Sequence, residues 1–429
     1  MQLTAELQQR LLSIAAKLNE LKITEGTTVR FRGWGSTYLT HLLLHSVGIG
    51  DDIPEAGAFV ICREAISAAA ANGTITPQSL HREVSVGVSR YRGRSERLFA
   101  LVTPLSVDPP EGFRYRSIDG WQISVEGSLP REFDRSFLEA TPVGSWQPYV
   151  EPTRWIIARG SARTEDTAAH GALRAIDLLR GVWSLAHGAA IRSPNDFGGP
   201  HRPLGPILLG PVHTLHGLSG APSPPGYWFD PAYRPSEGPA WPLQSEGWNA
   251  ARELEDRIEE GVLLPPMRSF VTEGLVRYCR ALDAADPEVT FVDLWGTLEH
   301  VAARRERERT DVILDRIANL YSDREPLTKQ MLRMLRDQRD ASVHRGVSSE
   351  FRRSAISMLA PFTSDCLVFL LRAHDRFGTP EQFREFLSLP PDRASLDEGI
   401  ALRRLAKELR GMISDHSGMQ GAGIPPDEA

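Results

Sequence analysis

The sequence predicts an α+β protein, in which a mixed α/β N-terminal domain is followed by an all-α helical bundle. Three observations carry that prediction. The strand-like runs "TVRFRGW", "LFALV", "WQISVEG" and "RWIIARG" all lie before residue 196. Beyond Pro242 every long segment places apolar residues three and four apart, the period of amphipathic helices, with short connections between them. Between these regions, eleven prolines from Pro200 to Pro242 and many glycines interrupt both periods and predict a long loop or interdomain connector. The expected organisation is a mixed domain over 1–195, a connector over 196–245, a bundle over 246–416 and a disordered tail over 417–429.

Taken in order, residues 1–22 predict a helix with Leu3, Leu7, Leu11, Ile14 and Leu18 on one side. "TVRFRGW" follows as a strand, then "YLTHLLLHSV" as a helix and "AFVICREAISAAAA" as a second apolar run. From His81 to Val107, the alternation in "VSVGV" and the run "LFALV" predict two paired strands, with the arginines of "SRYRGRSER" in a solvated turn between them. Thr164 is placed to cap a helix whose first turn holds Glu165 and Asp166, with Ala169, Leu173, Ile176, Leu179 and Trp183 as its packing stripe. In the connector, Tyr227 and Trp228 are expected to fasten the loop to its own domain. Helices are expected over 246–261, 266–284, 290–305, 308–321, 326–347, 350–376, 379–388 and 395–414.

Composition excludes several function classes. A formal net charge of −6 argues against a general nucleic-acid coat, so any RNA binding must be local. Lysine occurs only at Lys17, Lys22, Lys329 and Lys407, with no glycine-rich loop ending in Lys-Ser/Thr to cradle phosphates. Cys62, Cys279 and Cys366 are far apart and fit a reducing cytoplasm without zinc spacing. The pairs His41/His45 and His213/His216 have ligand-like spacing but lack a third ligand, so no metal site and no cofactor is expected. No apolar run of membrane-spanning length is read, and a cytoplasmic location is expected.

The chemistry concentrates in "RMLRDQRDASVHRG", residues 333–346. Pro326 suits the first turn of this helix and Gly346 its end, with Leu327, Met331, Met334, Leu335, Gln338, Ala341 and Ser342 as the expected packing stripe. From Lys329 to Arg353 the remaining face is basic, a local reversal of sign in an acidic chain. Asp340 and His344 are four apart, so the carboxylate can fix an imidazole tautomer. An always-charged Arg339 beside a histidine suits phosphodiester cleavage without metal. His344 would serve as acid or base on a ribose hydroxyl and Arg339 as the clamp on the anionic transition state. Arginine and histidine at similar spacing recur at Arg163/His170, Arg180/His187 and Arg410/His416, but only Arg339 is followed by an acidic residue.

"RDASVH", with "FVDLWGTLEHV" upstream, resembles the signature of HEPN domains, and the ApeA-like branch in particular, over roughly residues 250–390. The resemblance implies a helical bundle that dimerises along the motif helix and a metal-independent endoribonuclease of a toxin or anti-phage defence system. Arg339, Asp340 and His344 would be catalytic, with Arg333, Arg336 and Arg345 as RNA phosphate contacts. RNA and a second copy of the chain are then the expected partners, with residues 1–195 sensing a trigger. The alternative is a non-catalytic dimerisation and binding module whose N-terminal domain recognises a protein or small molecule. In both readings Trp295 is core, and Glu299 forms a surface salt bridge or pairs with an arginine of the motif helix.

Overall fold

The computed structural model describes residues 4–25, 28–32, 35–109, 113, 115–141, 154–188, 203–230, 245–259, 262–305, 308–321, 325–345 and 352–419, with residues 35, 36, 115, 140, 245, 325, 343–345 and 408–419 described by their backbone alone. The protein is α+β and divides into two compact units, Met1–Arg180 with Ile207–Ser245, and Gly181–Pro206 with Glu246–Ala429.

The first unit opens with helix α1 (Ala5–Leu21), capped by Thr4, whose side chain accepts from the Leu7 amide. A hairpin of β1 (Lys22–Glu25) and β2 (Thr28–Phe31) leads to α2 (Gly35–Ser46), α3 (Glu55–Ala71) and α4 (Pro77–Gly93). Their core holds Leu11, Leu18, Leu43, Ile61, Cys62, Leu80 and Val84. Lys22 Nζ donates to the Ala70 and Gly73 carbonyls at 2.5 and 2.6 Å, satisfying the C-terminus of α3. The strand expected at "VSVGV" is corrected, because that segment lies within α4. Thr76 and Ser79 form a capping box with Pro77 at the first turn, and Leu80, Val84, Val88 and Tyr91 recur at helical spacing towards the core. A valine every second residue supplied the wrong period, since alternate valines over five residues fit both.

Six antiparallel strands form the sheet in the order β4-β5-β6-β3-β7-β8, from β3 (Arg97–Leu105), β4 (Tyr115–Ile118), β5 (Trp121–Glu126), β6 (Arg154–Ala162), β7 (Val212–Gly217) and β8 (Pro222–Phe229). Helix α5 (Glu165–Ala186) is capped by Thr164, which accepts from the Thr167 amide. It lies against one sheet face so closely that a Cβ at Gly171 would sit 3.0 Å from the Trp121 indole nitrogen. The expectation of an irregular connector is also corrected: β7 and β8 fall inside it and extend the sheet from β3. Prolines are tolerated in β8 because it is the edge strand, paired only with β7. Tyr227 and Trp228 lie in β8, both half-buried.

The second unit is helical, with α6 (Ser245–Ile258), α7 (Pro265–Asp283), α8 (Pro287–Ala302), α9 (Thr310–Ala318), α10 (Glu325–Arg345), α11 (Arg352–Ala373), α12 (Pro380–Leu387) and α13 (Arg393–Met419). Each expected helix is present to within a few residues, and α13 continues through residues 417–419 of the expected tail. Asp286 caps α8, and Phe291, Leu294, Trp295 and Leu298 bury its inner face against α7 and α11. Helix α11 corrects the reading of the apolar runs. Residues 352–376 are long and apolar enough to cross a membrane, with a mean hydropathy of 1.6, and the length is spent on bundle core at Ile356, Leu359, Cys366, Leu367 and Leu370.

Candidate functional site on the motif helix

The motif helix is α10, and its buried face agrees with the expected stripe in part. Thr328, Leu332 and Leu335 are buried, whereas Leu327 and Met334 are exposed. Leu335 is buried and Met331 and Ala341 are half-buried as expected, and the buried face widens from them towards Thr328 and Leu332. This face brings Gln338, Arg339 and Ser342 into partial burial.

Arg339 lies at the seam between α10 and α8. Its Nη2 donates to Glu299 Oε1 at 3.3 Å and its Nη1 to Asp340 Oδ1 at 3.0 Å, with the guanidinium carbon 6.0 Å from the Trp295 ring centroid. The Trp295 indole N–H donates to the same Glu299 oxygen at 2.7 Å. Glu299 is therefore fixed by a core tryptophan and in turn aims Arg339. Arg339 keeps a quarter of its side chain exposed. Two of its five N–H donors are engaged by described residues, leaving capacity for an incoming oxyanion.

Glu288, three turns earlier on the same α8 face, repeats the arrangement. Ser342 Oγ donates to Glu288 Oε2 at 2.8 Å, and the buried Arg352 of α11 lies with Nε 2.9 Å from Glu288 Oε1 and its guanidinium 4.4 Å from the Phe291 centroid. Glu288 and Arg352 were not legible as site residues. Their one sequence signal is the eleven-residue interval from Glu288 to Glu299, which brings two carboxylates to one helix face.

The remaining cations of α10 are mostly engaged. Arg336 pairs with Asp311 of α9 and with Asp337, and Lys329 Nζ lies 3.3 Å from Asp315. Arg333 is exposed, with no ion-pair partner among the described residues. The uniform basic face expected from the sequence is corrected to a face largely neutralised by α8 and α9. The side chains of His344 and Arg345 lie outside the described residues, and so does the expected Asp340–His344 contact.

His41 lies against Phe59 in a tilted arrangement, 4.8 Å between centroids. Three residues apart on a strand, His213 and His216 point to opposite sheet faces. His213 Nδ1 is 2.7 Å from Thr103 Oγ1, while His216 uses Gly220 O at 2.8 Å and Thr214 Oγ1 at 2.9 Å. Burial lowers both pKa values, that of His213 to about 3, with Arg135 and Arg180 adding to the effect, so His213 is neutral at physiological pH. Comparisons with protein-family models, curated proteins and solved structures give no match to this chain.

Proposed function

We propose that the protein is a HEPN-type, metal-independent endoribonuclease that acts as a toxin or anti-phage defence effector under the control of its N-terminal domain. The observation that carries this reading is the seam arginine. Arg339 is aimed by Glu299 and Asp340 yet keeps free N–H donors, which is what a clamp on a pentacoordinate phosphate requires. His344 would move the proton of the ribose 2′-hydroxyl, the internal nucleophile, and the 5′-oxygen would leave with a proton from the same or a second histidine. The products are 2′,3′-cyclic phosphate and 5′-hydroxyl ends. A homodimer along α10 would bring two such sets to one cleft, and Arg333 is the first candidate for an outer phosphate contact.

The test is cleavage of total RNA and of a labelled oligonucleotide in EDTA by wild type, Arg339→Ala and His344→Ala at equal dimer content. Cutting confined to wild type supports the reading. Unchanged cutting by both variants removes the motif from the mechanism.

A second reading is favoured by a specific observation. Arg336, Lys329 and Arg339 are all paired with carboxylates, which weakens α10 as a surface for polyanions. In that reading the bundle is a dimerisation and binding module, and wild type leaves RNA intact under every condition in which its N-terminal domain is saturated with its ligand.

A further inference from the structure

The sheet face opposite α5 carries a cation without the counter-ion that its neighbours have. Side chains alternate along a strand, so Trp155, Ile157 and Arg159 of β6, Ala100 and Val102 of β3, and Thr214 and His216 of β7 share this face. Phe133, from the segment after β5, covers Ala100, Val102 and Ile157. Two residues on, Arg135 lays its guanidinium 4.8 Å from the Trp155 ring centroid and donates from Nη2 to the Val212 carbonyl at 3.0 Å. Its Nη1 is buried and has no acceptor.

Three other arginines of this unit are paired with carboxylates. Arg159 reaches Glu132 at 3.1 Å, Arg154 reaches Asp108 at 2.6 Å and the buried Arg180 reaches Asp177 at 3.1 Å. Asp134, the chain neighbour of Arg135, accepts from the Ser136 amide at 2.8 Å. No carboxylate of the described residues forms an ion pair with Arg135. Burial pulls its pKa down to about 10, a sign of how poorly solvated the charge is. Arg135 as a whole is half-buried, yet its Nη1 is shut off from solvent without a group to accept from it. Phe133 draws a second guanidinium, Arg159, to 5.4 Å from its centroid and the His216 ring to 5.0 Å, so cationic and hydrogen-bonding groups converge around one aromatic side chain.

We propose that Arg135, seated on Trp155 beside Phe133, is the recognition group of a small-molecule site in the sheet-bearing unit, and that its ligand carries an oxyanion, a phosphate or a carboxylate. Arginine presents a planar fork that matches both groups, and the desolvated surroundings strengthen the bond once it is made. This inference does not depend on whether α10 cuts RNA.

The experiment is thermal unfolding of the full chain with inorganic phosphate, and separately acetate, raised stepwise against chloride at constant ionic strength, for wild type and Arg135→Met. A stabilisation seen in wild type and absent from Arg135→Met supports the site, and the anion that produces it identifies phosphate or carboxylate as the source. Equal responses of the two proteins to both anions, an unspecific salt effect, overturn it. Stability without added anion separates the roles further. Replacement of an unpaired cation by a side chain of similar volume leaves it unchanged or raises it, whereas a purely structural clamp on Val212 would lose stability. If Arg135→Met does not fold, Arg135→Lys keeps the charge and loses the fork, and its apparent anion affinity falls on the order of tenfold, the cost of one charged hydrogen bond. An undiminished affinity in Arg135→Lys overturns the proposal.

Discussion

Two clusters of polar groups, one in each unit, are built in opposite ways. In the sheet-bearing unit, His213, His216 and Arg180 are buried and hydrogen-bonded to hydroxyls, carbonyls and one carboxylate, so the groups serve the fold. In the helical unit, Arg339, Asp340 and Glu299 are partly exposed and held by one another, and Glu288 by Arg352 and Ser342, at the edge of a core that contains Trp295. Polar groups satisfied from within resist change. Those held at an edge with donors to spare are placed to meet a ligand. Arg135 is the exception in the first unit, and that is why it carries the separate inference above.

The largest expected effect sharpens the contrast on the helical side. Trp295→Ala removes a buried indole and the donor that fixes Glu299, and should cost about 3–5 kcal/mol of stability in urea unfolding. A loss below about 1 kcal/mol would show that the seam is not built on that core. Next, Arg339→Ala should lower RNA cleavage about 100- to 1,000-fold while changing stability by less than about 1 kcal/mol, because its ion pairs are partly solvated. If stability fell by several kcal/mol with activity retained, Arg339 would belong with the structural arginines of the first unit.

The acid limb tests both units. The unfolded His213 takes up a proton near its ordinary pKa of 6.5, whereas the folded one resists until about 3. Its contribution to stability is therefore complete above about pH 6.5 and is lost as pH falls towards 3. Glu308 works in a lower window. Its hydrogen bonds from Arg316 hold its pKa at about 2 against the ordinary 4.5, so its contribution is present above about 4.5 and lost towards 2. Melting temperatures measured across this range should show a limb near neutrality that His213→Gln flattens and a lower limb that Glu308→Gln flattens. The smallest effect concerns the exposed Arg10–Glu6 pair on α1, where Glu6→Gln should change stability by less than about 0.5 kcal/mol.

Much of this architecture is local and was legible. The helices of the second unit, the Thr164 cap and the core position of Trp295 follow from spacing and cap chemistry within a few residues of chain. What failed had a non-local cause. "VSVGV" alternates locally, but the capping box at Thr76 and the contacts of Leu80 and Val84 with the α1–α3 core decide for helix. The β7–β8 pair is Pro- and Gly-rich and becomes a sheet edge only because β3 lies beside it, about 110 residues earlier in the chain. In α10 the expected stripe holds at Leu335 and in part at Met331, Gln338, Ala341 and Ser342, but Leu327 and Met334 are exposed and Leu332 is buried instead, because apolar residues on two adjoining faces satisfy the same period.

The sequence by itself determined the α+β class, the helical second half and the position of Arg339, Asp340 and His344 on one helix, since each depends on residues a few turns apart. Only the tertiary structure decided which face of α10 is buried, that Glu288 and Glu299 reach across to it, and that Asp311 and Asp315 neutralise its cations. A helix turns side chains every 100°, so its pattern fixes relative positions along the chain. Which charge meets which carboxylate is set by neighbouring helices that the period of a single segment cannot name.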